Sequence, residues 1–261
     1  RGNLIEVDGK YFNYYCDYYI NLFSNETLLL ESSYQGKYYN PRFISNFQAK
    51  DYFEIYAQQK IKENLNVSKL DYNRIIEFVD YFKQEFPFEF EESFYTQIKQ
   101  ALLSMSIKIK YLKEIYDDFF NKVKPKVIFL REAHYLYEGY ITKWAKEKGI
   151  RVAEFQHGGI SGSHMAYNFG DIFFTNEVPS KYIPDYFLTY GEYWNQFINS
   201  PSDAVTIGNP HMYEYITKVA VDKSSEKEAV KRILIVSQGG LTTKLVKIAI
   251  ELSKVLTKDY R

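Results

Sequence analysis

Cysteine is almost missing from this chain: Cys16 is the only one in 261 residues. No internal disulfide framework and no cysteine-based zinc site can form, and a reducing compartment suits the sequence. Net charge is missing too. Lysine and arginine number 33, and aspartate and glutamate also number 33, so no whole-chain field draws in nucleic acid or an anionic membrane. No uninterrupted apolar run approaches the roughly 20 residues that span a bilayer, and no basic stretch leads into an apolar core at the N-terminus. The cytosol is the expected compartment. Neither a Walker A sequence nor a complete Gly-x-Gly-x-x-Gly occurs, which removes support from kinase and dinucleotide-dehydrogenase readings. No serine sits in a Gly-x-Ser-x-Gly elbow, and Ser161-Gly162-Ser163 reads as flexible loop.

What the chain has in abundance is aromatic side chains, 26 tyrosines and 20 phenylalanines. They serve first as core and secondarily as sugar-stacking surfaces or interfacial anchors. The length suits one large domain plus a piece of another. Asp8-Gly9, set between alternating residues from Leu4 to about Tyr15, predicts a hairpin, and a short strand is expected at Thr27 to Glu31. Apolar spacing predicts two helices between Asp51 and Phe82, closed off by Pro87. Ile98, Leu102, Met105, Ile109, Leu112, Tyr116 and Phe119 mark one side of a long helix that Lys124-Pro125 stops.

From Val127 the chain changes character. Apolar segments at Val127 to Leu130, Val152 to Phe155, Ile172 to Phe174, Tyr186 to Thr189 and Val205 to Ile207 predict strands. The first is followed by a helix running from Ala133 through Leu136 to Ala145 and ending at Gly149. Such alternation predicts an α/β fold, a Rossmann-like parallel sheet covered by helices on both faces. Residues 1–220 form the expected first domain, helix-rich over 50–123 with an α/β core over 127–215. Gly208-Asn209-Pro210 reads as the turn that closes that core, and 221–231 as a charged linker. Residues 232–261 read as the opening βα unit of a second, incomplete domain. Its strand is Ile233 to Val236 and its turn Ser237-Gln238-Gly239-Gly240. Arg1 in place of methionine adds to the expectation of a piece of a longer protein, which can be inactive by itself.

In a parallel sheet all carboxyl ends meet one edge, so loops after the strands converge there. This brings Arg131 and Glu132, the Gln156 to His164 loop, Thr175 to Glu177, and Tyr190-Gly191-Glu192 toward one cleft. His157 is the candidate general base, because imidazole titrates near neutrality and this one sits at a strand-to-loop junction beside Gly158-Gly159. The competing reading is a histidine that caps a helix or fills a packing gap. His164 ranks below it. Glu154 shares a strand face with Gln156, where it orients His157, binds a hydroxyl, or pairs with Arg131 or Arg151. His157 and His164 lie seven residues apart without a His-Glu-x-x-His arrangement, and His134 and His211 fall in other segments, so no metal site is expected. The Ser237 to Gly240 loop reads either as a phosphate cradle at a helix N-terminus or as a plain βα turn.

The order of Glu154-Phe-Gln-His-Gly-Gly, Asp171-Ile-Phe-Phe-Thr, Phe187-Leu-Thr-Tyr-Gly-Glu-Tyr-Trp, Ile207-Gly-Asn-Pro and Ile233-Leu-Ile-Val-Ser-Gln-Gly-Gly resembles bacterial surface-polysaccharide glycosyltransferases of GT-B type. The capsule-polysaccharide enzymes are the nearest in pattern, and glycerophosphotransferases of teichoic acid synthesis and UDP-sugar 2-epimerases share the sheet. The resemblance covers about Val127 to Gly240. It implies two Rossmann-like domains across a cleft, with a nucleotide-sugar co-substrate as donor and a glycan or lipid-linked glycan of the capsule or lipopolysaccharide as acceptor. It also implies no metal or other cofactor, and peripheral association with the inner face of the membrane. His157 then deprotonates an acceptor hydroxyl with Glu154 beside it. Arg131, Glu132, Gln156, Gly158, Gly159, Ser161, His164, Tyr190 and Glu192 line the substrate side, and Ser237, Gln238, Gly239 and Gly240 face the donor phosphates. A CDP-glycerol-type transferase and a non-catalytic glycan-binding domain are the alternatives.

Overall fold

The computed structural model describes residues 4–33, 36–39, 41, 43, 47–63, 67–86, 90–222, 233–236 and 241–256. The chain divides into two compact units, Arg1–His211 and Met212–Arg261.

The first unit opens with the antiparallel pair β1 (Leu4–Val7) and β2 (Lys10–Asn13). Asp8 (φ 54°) and Gly9 (φ 71°) take the two left-handed positions of the tight turn that the Asp-Gly pair predicts. A short helix α1 (Asp17–Leu22) follows, then the parallel pair β3 (Leu29–Glu31) and β4 (Phe47–Ala49). Three helices come next: α2 (Asp51–Glu63), α3 (Lys69–Glu85) and α4 (Glu92–Val123). The Ser68 hydroxyl caps α3 by accepting from the Asp71 N–H. At the far end of α4, Lys124 turns left-handed (φ 50°) and donates its N–H to the Phe120 carbonyl, after which Pro125 cannot continue the helix. Pro87 lies outside the described residues.

The core of the unit grows from the α4 stripe. Leu112, Ile115, Tyr116 and Phe120 pack with Phe53 and Ala57 of α2, and Phe53 meets Tyr116 edge-on at 4.6 Å. The same cluster takes in Ala133, Ile141, Trp144 and Ala145, and Val152 of the sheet.

The sheet is β5 (Val127–Leu130), β6 (Arg151–Phe155), β7 (Tyr186–Thr189) and β8 (Asp203–Thr206), all parallel and side by side in chain order. Between them lie α5 (Glu138–Glu147), the short turns of helix α6 (Ile172–Thr175) and α7 (Glu177–Ser180), and α8 (Glu192–Asn195). Helices α9 (Pro210–Asp222) and α10 (Thr242–Val255) complete the described elements. This is the expected mixed α/β class, a four-stranded parallel sheet flanked by helices.

Several expectations are corrected. Ile172 to Phe174 is not a strand: β6 pairs directly with β7, which leaves no lane between them. The segment instead closes a helical turn through Thr175 N–H to Asp171 carbonyl, with Ile172 and Phe174 exposed. Thr175 to Glu177 therefore does not stand at a strand end. The helix after β5 begins at Glu138 rather than Ala133, because Leu136 turns left-handed (φ 47°) and points into solvent. The last strand starts two residues and ends one residue earlier than expected, at Asp203–Thr206. The two faces of the sheet are covered unequally. Ile128, Leu130 and Val152 face the α4–α5 cluster, whereas Phe129 on the other face remains 53% exposed. Ile233 to Val236 forms no strand, and among the described residues it has no neighbouring strand to complete a ladder. The expected linker begins inside α9, since Val221 and Asp222 are helical, and its remainder lies outside the described residues.

Candidate functional site

The register of the parallel sheet puts Leu130 opposite Glu154 and Glu154 opposite Phe187. Glu154 is thus the penultimate residue of a central strand, facing the covered side. Its side chain is wholly buried. A carboxylate there requires donors, and the loop after β5 supplies them. The Ala133 N–H donates to Oε2 at 2.8 Å, and Nδ1 of His134 stands 3.1 Å from the same oxygen. The Thr142 hydroxyl donates to the Ala133 carbonyl and so fixes that loop to α5. Neither arginine considered as a partner reaches Glu154. Arg131 pairs with Glu132 at 2.8 Å and Arg151 with Asp185 at 3.5 Å.

On the other side of the carboxylate lies His157. Its Nδ1 faces two oxygens, the Phe155 carbonyl at 3.4 Å and Glu154 Oε1 at 3.8 Å. Both are acceptors, so the proton of the neutral ring belongs on Nδ1 and the lone pair on Nε2. Among the described residues no hydrogen-bond partner faces Nε2, and the side chain keeps 20% of its surface in solvent. A base with its back to a buried carboxylate and its front accessible has the layout that orients an imidazole for proton abstraction.

The loop itself is latched. Gln156 is buried, with its amide donating to the Gly158 carbonyl and its carbonyl accepting from the Tyr190 N–H, both at 2.8 Å. That use of both ends makes Gln156 a brace between the β6 and β7 loops. Gly158 and Gly159 are exposed and not left-handed, and a Cβ on either would meet nothing closer than 4.0 Å. They leave open space in front of the backbone. Ser161 is exposed beside Ser163, and His164 Nδ1 accepts from the Ala166 N–H at 3.3 Å while its ring sits 5.1 Å from Tyr167. Glu192 opens α8 on the surface. Ser237, Gln238, Gly239 and Gly240 lie outside the described residues.

The N-terminal segment, which carries no motif, supplies a wall of this edge. Tyr15 donates its hydroxyl to the His157 carbonyl at 2.9 Å, and Tyr19 donates to the carbonyls of Ile207 and Gly208 while stacking on Phe155 at 5.6 Å. Tyr14 stacks on His211 at 5.3 Å, and the Tyr18 hydroxyl stands 3.4 Å from the same ring. Burial, together with the hydrogen bond to Tyr14, pushes Tyr15 up to about 12, and burial beside Tyr15, Tyr14 and Tyr19 raises Tyr190 as well. Both stay neutral donors at any physiological pH. Arg131 acts on Tyr15 in the opposite sense, which places its charge at the same edge.

All four histidines of the chain therefore follow carboxyl ends of the parallel strands: His134 after β5, His157 and His164 after β6, His211 after β8. Sequence reading weighs His134 and His211 only as metal ligands and does not single out Tyr15. The signal for His134 was its position four residues beyond the end of the strand that pairs with Glu154; Tyr15 had none.

Two surface depressions lie at the opposite edge. One of about 220 Å³ is bounded by Lys146, Arg151, Tyr186 and Asp203, and a larger, more open one by Phe120, Lys124, Pro125 and Lys148. Neither contains a histidine, and Lys146 already donates to the carbonyls of Ser180 and Ile183. Among the described residues no three histidine, cysteine or acidic side chains gather as metal ligands, and no helix is long and apolar enough to cross a membrane. Compared with protein-family models, curated proteins and solved structures, the chain matches none.

Proposed function

We propose that the chain belongs to a GT-B-type glycosyltransferase that moves a sugar from a nucleotide sugar to a bacterial surface glycan acceptor, with His157 as the general base. The observation that carries the reading is the Glu154–His157 pair at the carboxyl edge of a parallel sheet, its Nδ1 turned toward oxygens and its Nε2 free. Glycosyl transfer to a hydroxyl needs a group to receive that proton as the new bond forms. The phenolic rim of Tyr14, Tyr15 and Tyr190 suits a sugar acceptor, since rings stack on the apolar faces of pyranoses and neutral hydroxyls hydrogen-bond to theirs. The same rim also favours a second reading, a glycan-binding domain without turnover.

The test is release of nucleotide by the full-length protein from a panel of nucleotide sugars and CDP-glycerol. His157→Ala is expected to lower turnover about 100- to 10,000-fold with folding and acceptor binding preserved. Unchanged turnover removes His157 as base, release from CDP-glycerol alone moves the reading to glycerophosphate transfer, and glycan binding without release from any donor selects the binding domain.

A further inference from the structure

We propose that His134 is a positioning residue which, through Glu154, holds His157 with its proton on Nδ1. Three buried atoms of this cluster, Glu154 Oε1, His134 Nε2 and the Tyr167 hydroxyl, have no hydrogen-bond partner among the described residues. Leaving a carboxylate oxygen in that state is costly unless a donor closes on it. The Nδ1–H of His157 faces that oxygen from 3.8 Å away, a separation that contracts to a hydrogen bond with a small rotation of the ring. The carboxylate can wait for it only while its other oxygen is anchored. Ala133 N–H and His134 Nδ1–H, both on Oε2, are that anchor.

Among the described residues no lysine or arginine pairs with Glu154. The other polar groups near it are the hydroxyls of Tyr135 and Tyr167, which burial keeps neutral. The orientation of the carboxylate thus depends on hydrogen bonds, and among the described residues the one from His134 is the single side-chain bond to Oε2. Without it the carboxylate keeps only the Ala133 N–H on Oε2 and is free to swing away from Nδ1 of His157. A carboxylate that has left its place opposite Nδ1 no longer demands a proton there and releases the ring to the other tautomer. His134 is itself packed on Tyr135, Phe169 and Phe187 at 4.9, 5.5 and 6.2 Å between ring centroids. A phenylalanine at 134 therefore keeps the packing while removing the donor.

The proposal builds on the reading of His157 as base, but its direct readout does not need turnover. Long-range proton–nitrogen NMR on the chain labelled in its histidine rings reports which nitrogen of His157 is protonated. The wild type is expected to show Nδ1–H. In His134→Phe the signal is expected to move toward the Nε2–H form that predominates in solution, whereas His134→Asn, which places an N–H near the same point, retains Nδ1–H. Glu154→Gln is expected to release the ring like His134→Phe, and decides the matter if the latter fails to fold. Persistence of Nδ1–H in the variants lacking the donor or the carboxylate overturns the proposal, because the Phe155 carbonyl then suffices. Release in His134→Asn also overturns it and leaves a packing role. In the full-length protein His134→Phe is expected to lower kcat about 10- to 100-fold at unchanged acceptor KM. If His157→Ala leaves turnover intact while the NMR result stands, the base assignment fails and the positioning survives.

Discussion

Asp17 opens α1 with its carboxylate folded back onto the N–H of Asn13 at 2.8 Å, and it is buried. Burial outweighs that hydrogen bond and lifts the carboxyl to about 6. The folded protein thus favours the protonated form more than the unfolded chain does. Its contribution is complete below the ordinary carboxylate range and is lost as pH rises through about 6. Urea unfolding at a series of pH values is expected to show the midpoint of Asp17→Asn gaining on the wild type between about pH 4 and 6, with the gain constant above. A gap that does not change over this window contradicts the assignment. Glu154, also buried, is flanked by the imidazoles of His134 and His157. His157 was legible in the sequence because a strand ran into glycines around it. His134 was not, because its importance arises from the pairing of Leu130 with Glu154, a contact that no local pattern encodes.

Among the elements, α4 holds the most. Leu112 is fully buried at the point where α2 and α5 meet the helix. Leu112→Ala is expected to lower stability by about 2–5 kcal/mol in denaturant unfolding. An exposed position on the same helix, such as Lys122→Ala, is expected to stay within about 0.5 kcal/mol despite the loss of its ion pair with Asp118. The helix was legible because 32 residues repeat the apolar period many times. Ile172-Phe-Phe was misread because three apolar residues carry no period, and only the pairing of β6 with β7 decides that they lie outside the sheet. The Asp8-Gly9 hairpin was legible for the opposite reason, two residues whose backbone preference alone selects the turn.

At the scale of the whole first unit, the carboxyl edge of the sheet is built by segments far apart in sequence. Tyr15 reaches His157 across 142 positions and Tyr19 reaches Ile207 across 188. Tyr15→Phe removes one hydrogen bond, a change of about 0.5–1.5 kcal/mol. The exchange of amide hydrogens over 157–160 is expected to accelerate by about 2- to 10-fold, with the amides of β5 and β6 unaffected. Equal acceleration in the strands means that the tyrosine supports the fold at large and not this loop. The α/β class and the sheet edge were legible from alternating strands and helices, whereas the tyrosine wall was invisible, since nothing in a sequence announces a contact of such separation. That span also sets an order of events during synthesis. At roughly 5–20 residues per second a ribosome needs about 7–28 s to add the 142 residues between Tyr15 and the carbonyl that receives it. For that interval Tyr14, Tyr15 and Tyr19 have no seat, and the nascent chain presents a sticky ribbon for chaperones to shield until the last strands arrive.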